Sequence, residues 1–101
     1  MNLDEKLANV VNRFEEVQAL LTSNVSTEEL VKLNKELSAL EPVVAVINKY
    51  RHHQQMMEDD KQMMEDSSLD KEMREMAEME YYEAKEKLPE LEKEIRLMLL
   101  P

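Results

Sequence analysis

Not one of the 101 residues is glycine, and no other feature narrows the possible folds as much. Glycine takes positive φ without steric penalty and lets backbone approach a ligand closely, so loops that cradle phosphates and turns that receive dinucleotides depend on it. A chain without it is a poor vehicle for a nucleotide-binding loop. Four aromatic residues (Phe14, Tyr50, Tyr81, Tyr82), nine methionines and 36% charged residues suit long helices better than a sheet, which favours β-branched and aromatic side chains. The expectation is an all-α chain.

Cysteine is absent too, which removes disulfides, thiolate zinc sites and thiol nucleophiles together. The start, Met1-Asn2-Leu3-Asp4-Glu5-Lys6, lacks the basic opening and apolar run of a secretory signal. No segment approaches the roughly 20 apolar residues of a membrane span. These observations predict one soluble, cytoplasmic domain with no membrane contact.

The formal charge of −10 is unevenly spread, since residues 58–94 hold fifteen acids against six bases. Nucleic-acid binding needs clustered Lys and Arg to displace counterions, so this half should repel phosphate. An acidic helical surface carrying methionine points instead to a protein partner of basic character.

Three helices can be read from their ends. Asn2 is placed to cap the first, with Glu5 three residues on. Leu3, Leu7, Val10, Phe14, Val17 and Leu21 then recur at heptad spacing on one face. Thr22, Ser23 and Asn24 end it, because short polar side chains compete for backbone hydrogen bonds. Ser26 caps the second helix with Glu29 at its third position, and Val25 is placed to staple onto Leu30.

The second helix carries two apolar frames, Leu30, Leu33, Leu37, Leu40, Val44 and Ile47, and then Val43, Val46, Tyr50, His53, Met57 and Met64. The face therefore rotates near Pro42, where a proline kinks or breaks a helix. A continuous helix over 26–66 would be roughly 60 Å long at 1.5 Å per residue. Asp66-Ser67-Ser68 is expected to turn the chain and cap the third helix, whose face is Met73, Ala77, Tyr81, Ala84, Leu88, Leu91, Ile95 and Met98. Pro89 interrupts this run, and a kink is the expected result. The pattern predicts an elongated antiparallel three-helix bundle, a coiled-coil-like arm, with helices near 2–22, 26–66 and 68–99.

The stretch QMMEDDKQMMED, residues 55–66, is the densest in candidate ligands. His52 with Met56 and His53 with Met57 are i, i+4 pairs, and imidazole with thioether suits Cu(I). The interleaved acids are poor ligands for so soft an ion, whereas two heptads of one packing surface account for Met57 and Met64 directly. Met56 and Met63 lie beside that stripe, either covering the third helix or widening the face toward a partner helix. His52 and His53 lack the nucleophile and oxyanion turn that would make them catalytic. Asp59 with Asp60 and Glu65 with Asp66 lack the glycine of a calcium loop, and they are expected to solvate a helix face. The sequence thus offers no catalytic, cofactor-binding or metal residue.

Leu40-Glu41-Pro42-Val43-Val44, Tyr50, Met73-Arg74-Glu75-Met76-Ala77 and the ending Leu97-Met98-Leu99-Leu100-Pro101 occur in order along the chain. In these elements the whole chain resembles the N-terminal domain of the bacterial class I peptide chain release factors. Leu-Glu-Pro-Val-Val and Leu-Leu-Pro are most similar to the branch that reads UAA and UAG. The resemblance implies a parent protein that recognises stop codons on the ribosome through a tripeptide loop and promotes peptidyl-tRNA hydrolysis through a Gly-Gly-Gln loop. Both loops belong to later domains, and a chain without glycine contains no Gly-Gly-Gln. Pro101 falls where the family's sequence would run on, so residues 1–101 are expected to be an isolated helical domain to which no family catalytic residue can be carried. The resemblance further implies protein contacts with the stalk base of the large ribosomal subunit and with the class II release factor GTPase.

Another class of function uses the same kind of rod: a coiled-coil assembly protein or a chaperone-like helical adaptor. Light scattering separates the two, with a monomer or weak dimer expected of a docking arm and a defined oligomer of an assembly protein.

Overall fold

The computed structural model describes residues 2–101 and contains three helices, α1 (Leu3–Leu21), α2 (Thr27–Glu65) and α3 (Lys71–Met98). No strand occurs among the described residues, and the all-α expectation holds.

The helix starts follow from the capping residues. The Asn2 side chain accepts the N–H of Glu5 at 2.8 Å, and the Ser26 hydroxyl accepts that of Glu29 at 3.2 Å. Each satisfies one of the donors that the first turn of a helix leaves without a partner. The third start differs from the expectation, because α3 begins at Lys71 rather than near residue 68. The Asp66 carboxylate accepts both the N–H of Ser68 (2.9 Å) and its hydroxyl (2.6 Å), which closes a local turn and commits the Ser68 side chain. Asp70 is the cap instead, accepting the N–H of Met73 at 2.8 Å.

The helix ends show what the missing glycine entails. No described residue has positive φ, so α1 and α3 finish in right-handed conformation at Thr22 (φ −92°) and Leu99 (φ −88°). The last carbonyls are satisfied by tightened turns, with Thr22 N–H donating to Ala19 O and Ser23 N–H to Leu20 O. The hydroxyls of Thr22 and Ser23 donate to the same two carbonyls, at 2.8 and 2.6 Å.

Neither proline breaks its helix: α2 runs on through Pro42 and α3 through Pro89. Each removes the N–H that would have met the carbonyl of Ser38 or Lys85. Both prolines are exposed, on the side of the helix where water can supply the missing donor.

The chain divides after Ala45 into two compact units. The first pairs α1 antiparallel with the front of α2, and its buried apolar residues are Leu7, Val17, Leu33, Val43 and Val44. The second pairs α3 antiparallel with the rear of α2, burying Val46, Ile47, Tyr50, Ala77, Ala84, Leu91 and Ile95. Ala77 and Ala84, seven residues apart, are small enough to let the facing helix approach closely. Complete burial of a side chain such as Leu7, Ile47 or Ile95 contributes about 2 kcal/mol. Residues from both apolar frames of α2 are covered where the frames overlap, since Val43, Val44, Val46, Ile47 and Tyr50 are all buried.

Candidate functional site

The rear of α2 carries the histidines and methionines that made residues 52–66 a candidate site. His52 is exposed and His53 half-buried, with their rings edge to face at 5.8 Å between centroids. His53 Nδ1 lies 2.8 Å from the carbonyl oxygen of Lys49. A carbonyl can only accept, so Nδ1 carries the hydrogen and is committed to backbone. Met56, Met57, Met63 and Met64 are all half-buried. Met56 and His53 share a groove with Ala84 and Lys87 of α3, so Met56 covers the third helix; Met64 borders Arg74 in the same way. Among the described residues, no group of three or more histidine or acidic side chains is arranged to hold a metal ion.

The acids of this stretch do not share one environment. Asp59, Glu65 and Asp66 are exposed, as expected of a solvated face, and hydrogen bonds from Ser68 hold the Asp66 carboxyl below its ordinary range. Asp60 departs from that expectation, being only 5% exposed, with its Oδ2 lacking any hydrogen-bond partner. Its position explains why. The second apolar frame runs Val43, Val46, Tyr50, His53, Met57, and its next heptad step before Met64 is residue 60. Aspartate therefore occupies a seam position, and the spacing was the signal that its charge obscured. Burial raises the Asp60 pKa, and the nearby charges of Glu80 and Asp59 raise it further.

In the first unit, Arg13 of α1 reaches Glu36 of α2 through two hydrogen bonds, Nε to Oε2 and Nη2 to Oε1, the latter at 2.8 Å. Arg13 Nη1 also meets Glu16 at 2.9 Å. Both partners flank apolar seam positions, where interhelical ion pairs form in coiled coils.

The outer face of α3 departs from a simple solvated surface. Met76 is 65% exposed, Met79 67% and Tyr82 52%. Glu75, Glu78, Glu83 and Glu86 border a shallow groove with Met79 and Tyr82. At 3.6 residues per turn, Met79 stands roughly 160° and Tyr82 roughly 140° around the helix from buried Ala77. These residues belong to no apolar seam and are not required by the packing of α3.

What the site presents is acidic helix surface studded with thioethers and a phenol. The family model for the PCRF domain matches residues 10–101. The chain belongs to the PCRF domain family. Its resemblance to the peptide chain release factors is borne out by curated relatives. It is 39% identical over 97 residues to peptide chain release factor 1 of Rhizobium rhizogenes, covering 96% of this chain and 27% of that protein. It is also 39% identical to the same factor of Gluconobacter oxydans over 102 residues and of Acidiphilium cryptum over 101, in both cases covering 100% of this chain and 28% of the relative. The PCRF chain thus spans little more than a quarter of the relatives it matches. No solved structure matches it. Among the described residues, no helix is long and apolar enough to cross a membrane.

Proposed function

We propose that this chain is the N-terminal helical domain, residues 1–101, of a bacterial class I release factor that acts in the cytoplasm. The parent protein recognises UAA and UAG on the ribosome and promotes peptidyl-tRNA hydrolysis, with its codon-reading and Gly-Gly-Gln parts in domains outside this segment. The segment itself catalyses nothing. It positions the factor and docks proteins, namely the stalk base of the large ribosomal subunit and the class II release factor GTPase. The match of residues 10–101 to the PCRF domain is the observation that carries this reading. The charge agrees with it, since a chain of net charge −10 suits contact with protein rather than with ribosomal RNA.

The docking role is tested by immobilising the chain and presenting stalk-base proteins and the GTPase at low salt. Retention of at least one, weakened as salt rises, is expected. Retention of neither removes the docking role while leaving family membership untouched.

A further inference from the structure

The outer face of α3 poses a physical question that the fold leaves open. Three large side chains, Met76, Met79 and Tyr82, are each more than half exposed and recur every three residues along one flank of the helix. Around them residues 75–86 hold five glutamates and a single lysine. Three of these glutamates, Glu78, Glu83 and Glu86, make no ion pair among the described residues. The lysine, Lys85, sets its ammonium 5.9 Å from the centroid of the Tyr82 ring, so this aromatic face already receives a cation.

Resting on the docking role proposed above, we infer that the Met76–Met79–Tyr82 stripe of α3 is a docking surface for a cationic amphipathic helix of a partner protein. Each side of the surface selects for that chemistry. Unbranched methionine side chains reshape around an incoming apolar side chain at little strain, which is why methionine is frequent on surfaces that receive helices. The flanking glutamates supply carboxylates for Lys and Arg beside the apolar contacts, and oppositely charged rims fix register and speed encounter. Other occupants meet the wrong charge. A second copy of this chain would bring the same glutamates against these, and nucleic acid or an anionic membrane would bring phosphates. From Glu75 to Glu86 the face is roughly 17 Å long at 1.5 Å per residue, room for about three turns of a partner helix.

The experiment uses the full 101-residue chain and a defined probe, an amphipathic helical peptide of leucine and lysine about 18 residues long. A scrambled peptide of the same composition, without a one-sided apolar face, is the control. With methionine methyl groups isotopically labelled, binding is expected to move the Met76 and Met79 signals and leave those of Met57 and Met64 in place. Fluorescence anisotropy is expected to show affinity falling about tenfold or more for the scrambled peptide, for Met76→Gln/Met79→Gln and for Glu78→Gln/Glu83→Gln/Glu86→Gln, a loss of about 1.4 kcal/mol or more. These exposed positions can be changed without disturbing the helix packing, which circular dichroism verifies. Equal binding of the scrambled peptide, signal changes confined to other methionines, or parental affinity in both variants would each overturn the inference.

The docking reading fails separately. If the chain retains a stalk-base protein or the GTPase and Met76→Gln/Met79→Gln retains it equally, the stripe is wrong and the docking role stands. If the probe seats on Met76 and Met79 while neither translation protein binds, the surface stands and the docking role is wrong.

Discussion

The guanidinium of Arg13 faces the carboxylate of Glu36 fork to fork, joining α1 to α2 across 23 positions of sequence. The hydrogen bond from Arg13 holds the Glu36 carboxyl below its ordinary value, against an opposing effect of desolvation, and the same bond raises Arg13. The side chains are 41% and 36% exposed, so water screens most of the attraction and the pair fixes geometry more than it adds stability. A depressed acid contributes stability that is present above the ordinary glutamate value of 4.5 and lost as pH falls through the lower folded value. A double-mutant cycle with Arg13→Ala and Glu36→Ala is expected to give a small favourable coupling at neutral pH that disappears in strong acid and in molar salt. A coupling that grows with salt would mean that the pair is not electrostatic.

Replacing Asp60 by an apolar residue is expected to stabilise the chain. Its buried carboxylate has an oxygen with no hydrogen-bond partner, and Glu80 and Asp59 lie near enough to raise its pKa. A raised acid contributes stability that is complete below the ordinary aspartate value of 3.8 and lost as pH rises through the higher folded value. Asp60→Leu should therefore raise stability at pH 7 by about 1–3 kcal/mol, the range for a buried polar group left unsatisfied. In urea titrations the gain should shrink as pH is lowered. A loss of stability at pH 7 would show that Asp60 has a partner in solution.

What the sequence disclosed and what it hid have separate physical causes. Asn2 and Ser26 could be read as caps because capping depends on a few neighbouring residues. The heptad frames were legible because apolar spacing marks the face that packs, and Val43, Val44, Val46, Ile47 and Tyr50 are buried as their spacing requires, whereas Leu30 and Met73, near the starts of their helices, hold seam positions and are exposed. Ser68 misled because Ser68 and Asp70 are both capping types two residues apart, and composition does not say that Asp66 takes the Ser68 hydroxyl and leaves Asp70 to cap. Asp60 was missed because its charge argued for water while its position argued for the seam. The Arg13–Glu36 pair and the Met76–Met79–Tyr82 stripe were missed for another reason: both lie off the seams, where spacing along one helix does not report what stands opposite.

Ser68 and Asp70 contribute unequally to the α3 start. Asp70→Ala removes the acceptor for the Met73 N–H and a negative charge from the positive end of the helix, and is expected to lower stability by about 1 kcal/mol. Ser68→Ala removes only a bond within the turn and should have a smaller effect. Thermal melts of the two variants would check this, and a larger loss from Ser68→Ala would return the cap to residue 68.

Pro89 sits within α3 with the helix continuing to Met98, and Pro42 has the same relation to α2. Each deprives one carbonyl, that of Lys85 or Ser38, of its helical donor, while being exposed enough for water to answer it. Replacing Pro89 by alanine restores the N–H and the best helix former, a gain that the greater freedom of the unfolded chain partly offsets. Pro89→Ala is therefore expected to raise stability by about 1–3 kcal/mol, and Pro42→Ala by a similar amount. Urea midpoints followed by circular dichroism measure both. A lowered midpoint for Pro89→Ala would mean that the ring itself packs against its surroundings, and the exposed face that it shares with Lys93 and Leu97 would then have to be counted as part of the folded core.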